Sequence, residues 1–232
     1  MQHSKTKSKE NLLVISSKDL YDDPRQAGHR IAMMYLKKQS AISDITLVQF
    51  SHNYKSNNTY HSINKTCKIV KTFQINKKRK IYNYIKKLYK PLLFTLRYEK
   101  KISNKILELI RENKIDEIRL EWSDILMYSN DIKKSFPSLK VSVYMHSIDS
   151  DVIKNYKKKS RYPMKLFWLF ELIKTKKFER ENLNKIEEII TLGNKDKQTL
   201  IKIGIEKNKI KISKPNFNKF PTTNKKSIPD DM

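Results

Sequence analysis

An alternation of short apolar runs with segments of helical periodicity constrains this chain more than any other feature. Residues 11–16 (NLLVIS) are predicted to form a buried strand, the residues from Gly28 onwards place apolar side chains at helical spacing, and residues 45–50 (ITLVQF) are predicted to form a second strand. A strand, a loop, a helix and a strand make a βαβ unit, which favours parallel pairing. Further strands are predicted at residues 67–75, 115–120, 141–145, 188–192 and 209–213, and further helices at 77–90, 92–112, 125–136, 164–184 and 195–203. The sequence therefore predicts an α/β, Rossmann-like, three-layer domain with a mostly parallel sheet of about six or seven strands.

The stretch 141–151 (VSVYMHSIDSD) places a histidine at the end of one predicted strand. Open α/β sheets bind ligands at the carboxyl ends of their strands, so His146 is a candidate catalytic residue. Glu121 follows the strand at 115–120, and Asp149 follows His146, so either carboxylate is a candidate to orient His146 or to bind an acceptor. A lone histidine after an apolar strand is more often a hydrogen-bonded structural residue, and that alternative stays open.

The loop after the first predicted strand contains the run PRQAGHR at residues 24–30. Gly28 would let backbone N–H groups at a helix start approach a phosphate, and Arg25 and Arg30 add positive charge there. Gly28 is equally consistent with a turn glycine. The loop has a single glycine and lacks the GxGxxG pattern, so it carries no dinucleotide fingerprint.

Charge and cysteine content limit the classes of partner. The chain has 50 Lys and Arg against 24 Asp and Glu, a net charge of +26, which attracts phosphates, anionic lipids or nucleic acid. The excess is mostly lysine and accompanies abundant Asn and Ile, so AT-rich codon usage explains it equally well. The single cysteine, Cys67, allows no internal disulfide and no cysteine-based zinc site, and we expect no metal and no cofactor.

Membrane contact is predicted at the surface and not across a bilayer. No apolar run approaches the ~20 residues that a membrane span needs, and the polar N-terminus does not resemble a signal peptide. The predicted helices between residues 77 and 112 are basic and amphipathic, and residues 164–173 (MKLFWLFELI) are nearly apolar all round. These segments either cover the sheet or lie on an anionic membrane. The expected location is the cytoplasm, with peripheral attachment to the inner face of the plasma membrane.

Four pieces of sequence together resemble a known family. They are PRQAGHR, the strand VYMHS, the pair Phe178–Glu179 ahead of EEIITLGNKDKQTL, and KIKISKPNFN running into a Pro-Asn junction. In this order they resemble the N-terminal domain of GT-B glycosyltransferases of the family-4 group, over about residues 11–218. The chain departs from the family pattern at Ala27, Ser147 and Gly193. The resemblance implies that Gly28 lies in the loop that meets the donor phosphates and that His146 lies near the reacting sugar.

The resemblance also implies a division of labour. In the family, an N-terminal domain holds the sugar acceptor and a C-terminal domain holds the nucleotide-sugar. Only some fifteen residues follow the Pro-Asn junction here, so we expect a basic disordered tail (1–10), an acceptor-type domain (11–213) and a linker or tail (214–232), with the donor domain absent.

The expected function is therefore the acceptor half of a glycosyltransferase in bacterial surface polysaccharide assembly (capsule, O-antigen or exopolysaccharide), inactive without a donor-domain partner. Its substrates would be a nucleotide-sugar and a sugar or lipid-linked acceptor. Two alternatives remain: a non-catalytic truncated remnant or accessory subunit, and a basic nucleic-acid-binding α/β protein. The sequence contains no recognisable nucleic-acid-binding motif, which disfavours the second alternative.

Overall fold

The computed structural model describes residues 9–21, 26–51, 61–74 and 85–214, and for residues 61 and 62 only the backbone. Several sequence predictions fall outside these ranges. They are the N-terminal tail up to residue 8, the loop position of Arg25, most of the predicted helix at 77–90, and all of the C-terminal tail after Lys214.

Seven strands form one sheet, and all its strand pairs are parallel, which confirms the predicted sheet. In chain order they are β1 (Glu10–Ser16), β2 (Ser43–Ser51), β3 (Ile69–Gln74), β4 (Glu117–Glu121), β5 (Lys140–Met145), β6 (Glu188–Thr191) and β7 (Ile210–Ile212). The spatial order is β3-β2-β1-β4-β5-β6-β7. The chain therefore winds outwards from β1 in one direction and returns to continue from β4 in the other. The strand order reverses between the neighbouring strands β1 and β4. This is the topological switch point, where α/β sheets form ligand crevices at the carboxyl ends of the strands.

Eight α-helices connect these strands among the residues described. They are α1 (Ala27–Gln39), α2 (His61–Thr66), α3 (Leu92–Arg97), α4 (Lys100–Glu112), α5 (Leu126–Ser135), α6 (Asp149–Lys159), α7 (Met164–Leu183) and α8 (Asn194–Ile203). Two single-turn 3₁₀ helices lie at Ser123–Ile125 and Lys207–Lys209. Within the described ranges, no helix has the length and apolar character required to cross a bilayer.

The two faces of the sheet carry separate hydrophobic cores. On one face, α1 and α2 cover β1 and β2, with side chains such as Leu12, Val14 and Leu36 in the core. On the other face, α3, α4, α5, α7 and α8 cover a larger core that includes Ile106 and Phe178. Burial on both faces explains why β1 has a continuous apolar run, Leu12 to Ile15, instead of an alternating pattern.

Residues 92–112 form two helices and not the single one predicted, because Tyr128 interrupts them. The Tyr128 hydroxyl donates to the Arg97 carbonyl oxygen (2.9 Å) and accepts from the Glu99 N–H (3.1 Å). A side chain thereby satisfies backbone groups that would otherwise bond within a helix, and Tyr98 takes an extended conformation. This tertiary hydrogen bonding leaves no local signal in residues 92–112.

Two further helices lie where the sequence predicted none. Residues 51–66 were expected to be a loop, but α2 forms at its end and buries Ile63. Residues 149–161 were expected to be a polar basic segment, and they form α6. The helix has Asp149 and Asp151 in its first turn and lysines in its last turn, which is the charge order that the helix dipole favours.

Candidate active site

The switch point holds a cleft of about 270 Å³ at the carboxyl ends of β1, β4 and β5. His146 directly follows β5, Glu121 ends β4, and Gly28 lies in the first turn of α1. The cleft is lined by Lys18, Gln26, Ala27, Gly28, His29, Ile31, Trp122, His146, Ser147 and Leu192. Two of the predicted site residues, His146 and Gly28, therefore line one cleft. The third, Glu121, lies beneath the cleft surface and contacts His146.

His146, Glu121 and Arg119 form a buried hydrogen-bonded chain. Nε2 of His146 lies 3.0 Å from Glu121 Oε2, and Nε of Arg119 donates to Glu121 Oε1 at 2.7 Å. The side chains of Glu121, Arg119 and His146 are 0%, 5% and 6% exposed. Burial alone would raise the pKa of Glu121, but the Arg119 charge and the hydrogen bonds from His146 and Arg119 outweigh burial and lower that pKa.

The hydrogen bond to Glu121 fixes the tautomer of His146. Because Glu121 is a carboxylate, it only accepts hydrogen bonds, so His146 donates through Nε2–H. Nδ1 of neutral His146 then carries the lone pair. Nδ1 is buried and has no hydrogen-bond partner among the residues described. A carboxylate behind a histidine, with the other ring nitrogen left to take a proton, is an arrangement suited to general-base chemistry.

Gly28 approaches the site closely. A Cβ added there would lie 3.3 Å from Nδ1 of His146 and 3.4 Å from the Trp122 ring. The start of α1 therefore packs directly over the unpartnered nitrogen, and a Cβ at this position would press on the imidazole.

Trp122 is a site residue that the sequence prediction missed. It stacks on His146 with ring centroids 4.3 Å apart, lies 5.4 Å from His29, and has Lys18 Nζ 5.2 Å from its ring centre. Its φ of 74° is rare for a bulky residue, and such conformations cluster at functional sites. Its position directly after the β4 strand, next to Glu121, was the available signal.

Arg119 is the second residue that sequence reasoning missed. Its guanidinium carbon lies 3.3 Å from the ring centre of Tyr35 and 4.7 Å from that of Tyr144. The signal was a charged residue inside an apolar strand, two positions before Glu121, because side chains two apart on a strand share a face. Lys18 likewise lines the cleft without having been predicted.

Asp149 does not take the predicted orienting role in this structure. Its carboxylate instead bonds to the hydroxyl of Ser123 (2.5 Å), and the residue is buried. Burial, with the nearby charges of Glu179 and Asp124, raises the pKa of Asp149 well above its ordinary value. Glu179 accepts the Ser150 N–H (3.1 Å), and its pKa is raised by burial to about 7. These carboxyl groups hold the start of α6 beside the site.

The structure describes part of the predicted phosphate loop. Gly28 lies at the cleft, Arg30 lies in α1 and is not among the lining residues, and Arg25 is outside the described residues. The start of α1 has no side-chain cap, and its first turn has no acidic residue. Across the described ranges, no group of three or more His, Cys, Asp or Glu side chains is placed to hold a metal ion.

Comparison by sequence gives no match, neither to a protein-family model nor to a curated protein. Comparison by structure finds solved structures with TM-scores just above 0.5, and these include GT-B glycosyltransferases. The predicted fold is therefore confirmed: it is a Rossmann-like α/β fold, similar to part of the chain of these GT-B glycosyltransferases.

The first neighbour is sucrose-phosphate synthase from Thermosynechococcus elongatus, at 13% identity and TM-score 0.54, covering 88% of this chain and 47% of that one. The second is Anabaena HepE in complex with UDP and glucose, at 10% identity and TM-score 0.52, covering 88% and 44%. The third is the lipopolysaccharide outer core galactosyltransferase WaaB, at 11% identity and TM-score 0.51, covering 87% and 44%. This chain thus spans less than half of each neighbour's length.

Proposed function

We propose that this chain supplies the acceptor-binding half of a glycosyltransferase that uses a nucleotide-sugar in bacterial surface polysaccharide assembly. Support comes from the GT-B fold and from coverage of 44–47% of its neighbours. Among those neighbours, HepE was solved with UDP and glucose, and WaaB is a lipopolysaccharide galactosyltransferase. The acceptor would be a sugar or a lipid-linked sugar at the inner face of the plasma membrane.

The observation that carries this proposal is the unpartnered Nδ1 of His146 in the cleft, opposite a ring nitrogen held by Glu121. In sugar transfer, the acceptor hydroxyl oxygen bonds to the anomeric carbon while the bond from that carbon to the diphosphate breaks. The hydroxyl proton would pass to Nδ1, and the Glu121 carboxylate would stabilise the imidazolium that results. Because Gly28 packs over Nδ1, the start of α1 has to shift slightly for an acceptor to reach it.

The leaving diphosphate needs positive charge, and among the described residues that line the cleft only Lys18 is a lysine or arginine. The backbone N–H groups at the start of α1, around Gly28, and the Lys18 ammonium line the cleft. The rest of the donor site would come from a second domain. We therefore expect that the isolated chain turns over no nucleotide-sugar, and that activity appears when a donor domain is added in trans or fused after Asn218.

Reconstituted activity gives the test of His146. His146→Ala should lower the rate by on the order of a hundredfold or more if His146 takes the proton. An unchanged rate with a lowered melting temperature would make His146 structural. Turnover of a nucleotide-sugar by the isolated chain would refute the half-enzyme proposal itself.

The charge of +26 favours one alternative function, nucleic-acid binding. A gel-shift titration at several salt concentrations separates the two. Tight binding whose affinity falls steeply with salt would support nucleic-acid binding. Weak binding would mean that the positive charge reflects composition or serves another anionic partner. A remnant without catalysis predicts that reconstitution with any donor domain fails while the chain stays folded.

A further inference from the structure

An antiparallel pair of helices, α6 and α7, projects from the edge of the sheet that carries the cleft. The Ser150 N–H donates to Glu179 Oε1 (3.1 Å) at the base of the pair, and Tyr156 stacks on Trp168 (5.1 Å) nearer its closed end. We call residues 152–170 the hairpin tip. The buried residues of α7 all lie between Glu171 and Leu183. The seven residues of α7 before that part therefore extend about 10 Å beyond the core, at 1.5 Å per residue.

The hairpin tip and the adjoining turn of α7 expose large apolar side chains. Phe170 and Ile173 are each 58% exposed, and Tyr162 is 83% exposed. The exposed set is Tyr156, Tyr162, Met164, Leu166, Leu169, Phe170 and Ile173. A contiguous run of this kind on a folded domain marks a surface that another body covers.

The same tip is strongly basic. Residues 152–170 contain six cationic side chains and no Asp or Glu: Lys154, Lys157, Lys158, Lys159, Arg161 and Lys165. None of the six forms an ion pair with an acidic side chain of the described residues. The tip therefore combines exposed apolar groups with positive charge that has no internal partner in the part of the chain described.

A neighbouring segment extends this surface. Ile85, Leu88 and Tyr89 are exposed, and Lys174 of α7 donates to the Leu88 carbonyl oxygen at 2.8 Å. Helix α4, by contrast, buries its apolar side, including Ile106 and Ile110, against the sheet. The predicted membrane role of residues 77–112 thus has no apolar support from α4, whereas residues 85–90 lie beside the exposed surface.

We propose that the hairpin tip docks onto an anionic lipid bilayer, with its apolar side chains at the acyl boundary and its six cations among the headgroups. Amphipathic surfaces of this composition bind such interfaces through burial of apolar side chains and through attraction of the cations to anionic headgroups. A second copy of this chain is a poor occupant, because a symmetric contact would bring like charges together. Since α6 begins three residues after His146, the tip and the cleft share one edge of the sheet, so a bound bilayer would lie near the cleft. This inference does not depend on sugar transfer.

Vesicle binding of the full chain tests the proposal. Sedimentation would be measured with phosphatidylcholine vesicles and with phosphatidylcholine–phosphatidylglycerol vesicles, at low and moderate salt. Two variants probe the tip: Leu166→Gln with Phe170→Gln, and Lys158→Gln with Lys159→Gln. Lys101→Gln with Lys134→Gln is the matched control, because both lysines are exposed on α4 and α5 and the charge change is identical.

Wild-type protein should bind the anionic vesicles and not the neutral ones. Each tip variant should lose on the order of tenfold or more in partitioning, and the control should lose far less. The emission of Trp168 should shift to shorter wavelength on binding, since the other tryptophan, Trp122, is already buried. Equal losses in the control and the tip variants, or no binding to anionic vesicles, would overturn the proposal. The proposal would also be overturned if the wild-type protein were a dimer and the variant with Leu166→Gln and Phe170→Gln were a monomer.

Discussion

The buried carboxyl of Glu179 should make the stability of this protein fall as pH rises. In the folded chain, burial raises the pKa of Glu179 from 4.5 to about 7. In the unfolded chain the carboxyl ionises near its ordinary pKa, so between about pH 4.5 and 7 the folded state holds a proton that the unfolded state has lost. The contribution of protonated Glu179 is therefore fully present below about pH 4.5 and is lost as pH rises through about 7.

The magnitude follows from the pKa difference. Each pKa unit corresponds to about 1.4 kcal/mol, so the change across this window is roughly 3 kcal/mol in the free energy of unfolding. Glu179→Gln keeps an oxygen for the Ser150 N–H and cannot ionise. The variant should therefore gain roughly 3 kcal/mol over wild type between about pH 4.5 and 8. Asp149, whose pKa is also raised by burial, gives a slope of the same sign in both proteins.

Urea unfolding of wild type and Glu179→Gln at several pH values between these limits is the assay. Glu181→Gln is the matched control, since Glu181 lies on the same helix with its side chain 51% exposed and pairs with Lys177. Its pH dependence should follow wild type. If the stability of Glu179→Gln changed with pH just as that of wild type and of Glu181→Gln does, the reasoning from burial would be refuted.

Three further substitutions probe the site and the backbone. Arg119→Met should destabilise the fold by about 3–5 kcal/mol, because it removes the partner of the buried Glu121 carboxylate, and adding Glu121→Gln should recover part of that loss in urea unfolding. Gly28→Ala should cost about 1–3 kcal/mol and lower reconstituted activity, because its Cβ would press on His146; unchanged stability and activity would contradict the tight approach of α1. Lys114→Gly should raise stability by up to about 1 kcal/mol in thermal melts, since φ at Lys114 is 46° and only glycine adopts this region without cost; a lower melting temperature would refute that account.

The sequence predicts the parts of this fold that depend on local periodicity. The strands around Val14, Leu47 and Val143 are buried on both faces, so their apolar runs are recognisable without a structure. The break between α3 and α4 was not predictable, because the cause is the Tyr128 hydroxyl, which comes some thirty residues later in the chain. Helix α6 was not predicted because its side chains are mostly polar. It packs on α7, for example through Tyr156 and Trp168.

The candidate site shows the same division. His146 and Glu121 were predicted because residues that end neighbouring parallel strands converge at one edge. The stacking of Trp122 on His146, and the Arg119 guanidinium behind Glu121, depend on side-chain directions and on a positive φ that the sequence does not display. The carboxyl of Asp149 accepts a hydrogen bond from the Ser123 hydroxyl, a contact between residues 26 positions apart that the sequence does not display.

The interior position of β1, between β2 and β4, has a consequence for how the chain folds. Its partner β2 begins within about thirty residues, but its other partner, β4, pairs Leu12 with Glu117, more than a hundred residues later. Closing so long a loop is entropically costly, and parallel pairings of this range slow folding. On the ribosome, β1 therefore keeps one unpaired edge until synthesis has passed β4. Strand β1, whose Leu13, Val14 and Ile15 are fully buried in the folded protein, is thus the strand that waits longest for its second neighbour, and until then its apolar side chains are open to aggregation or chaperone binding.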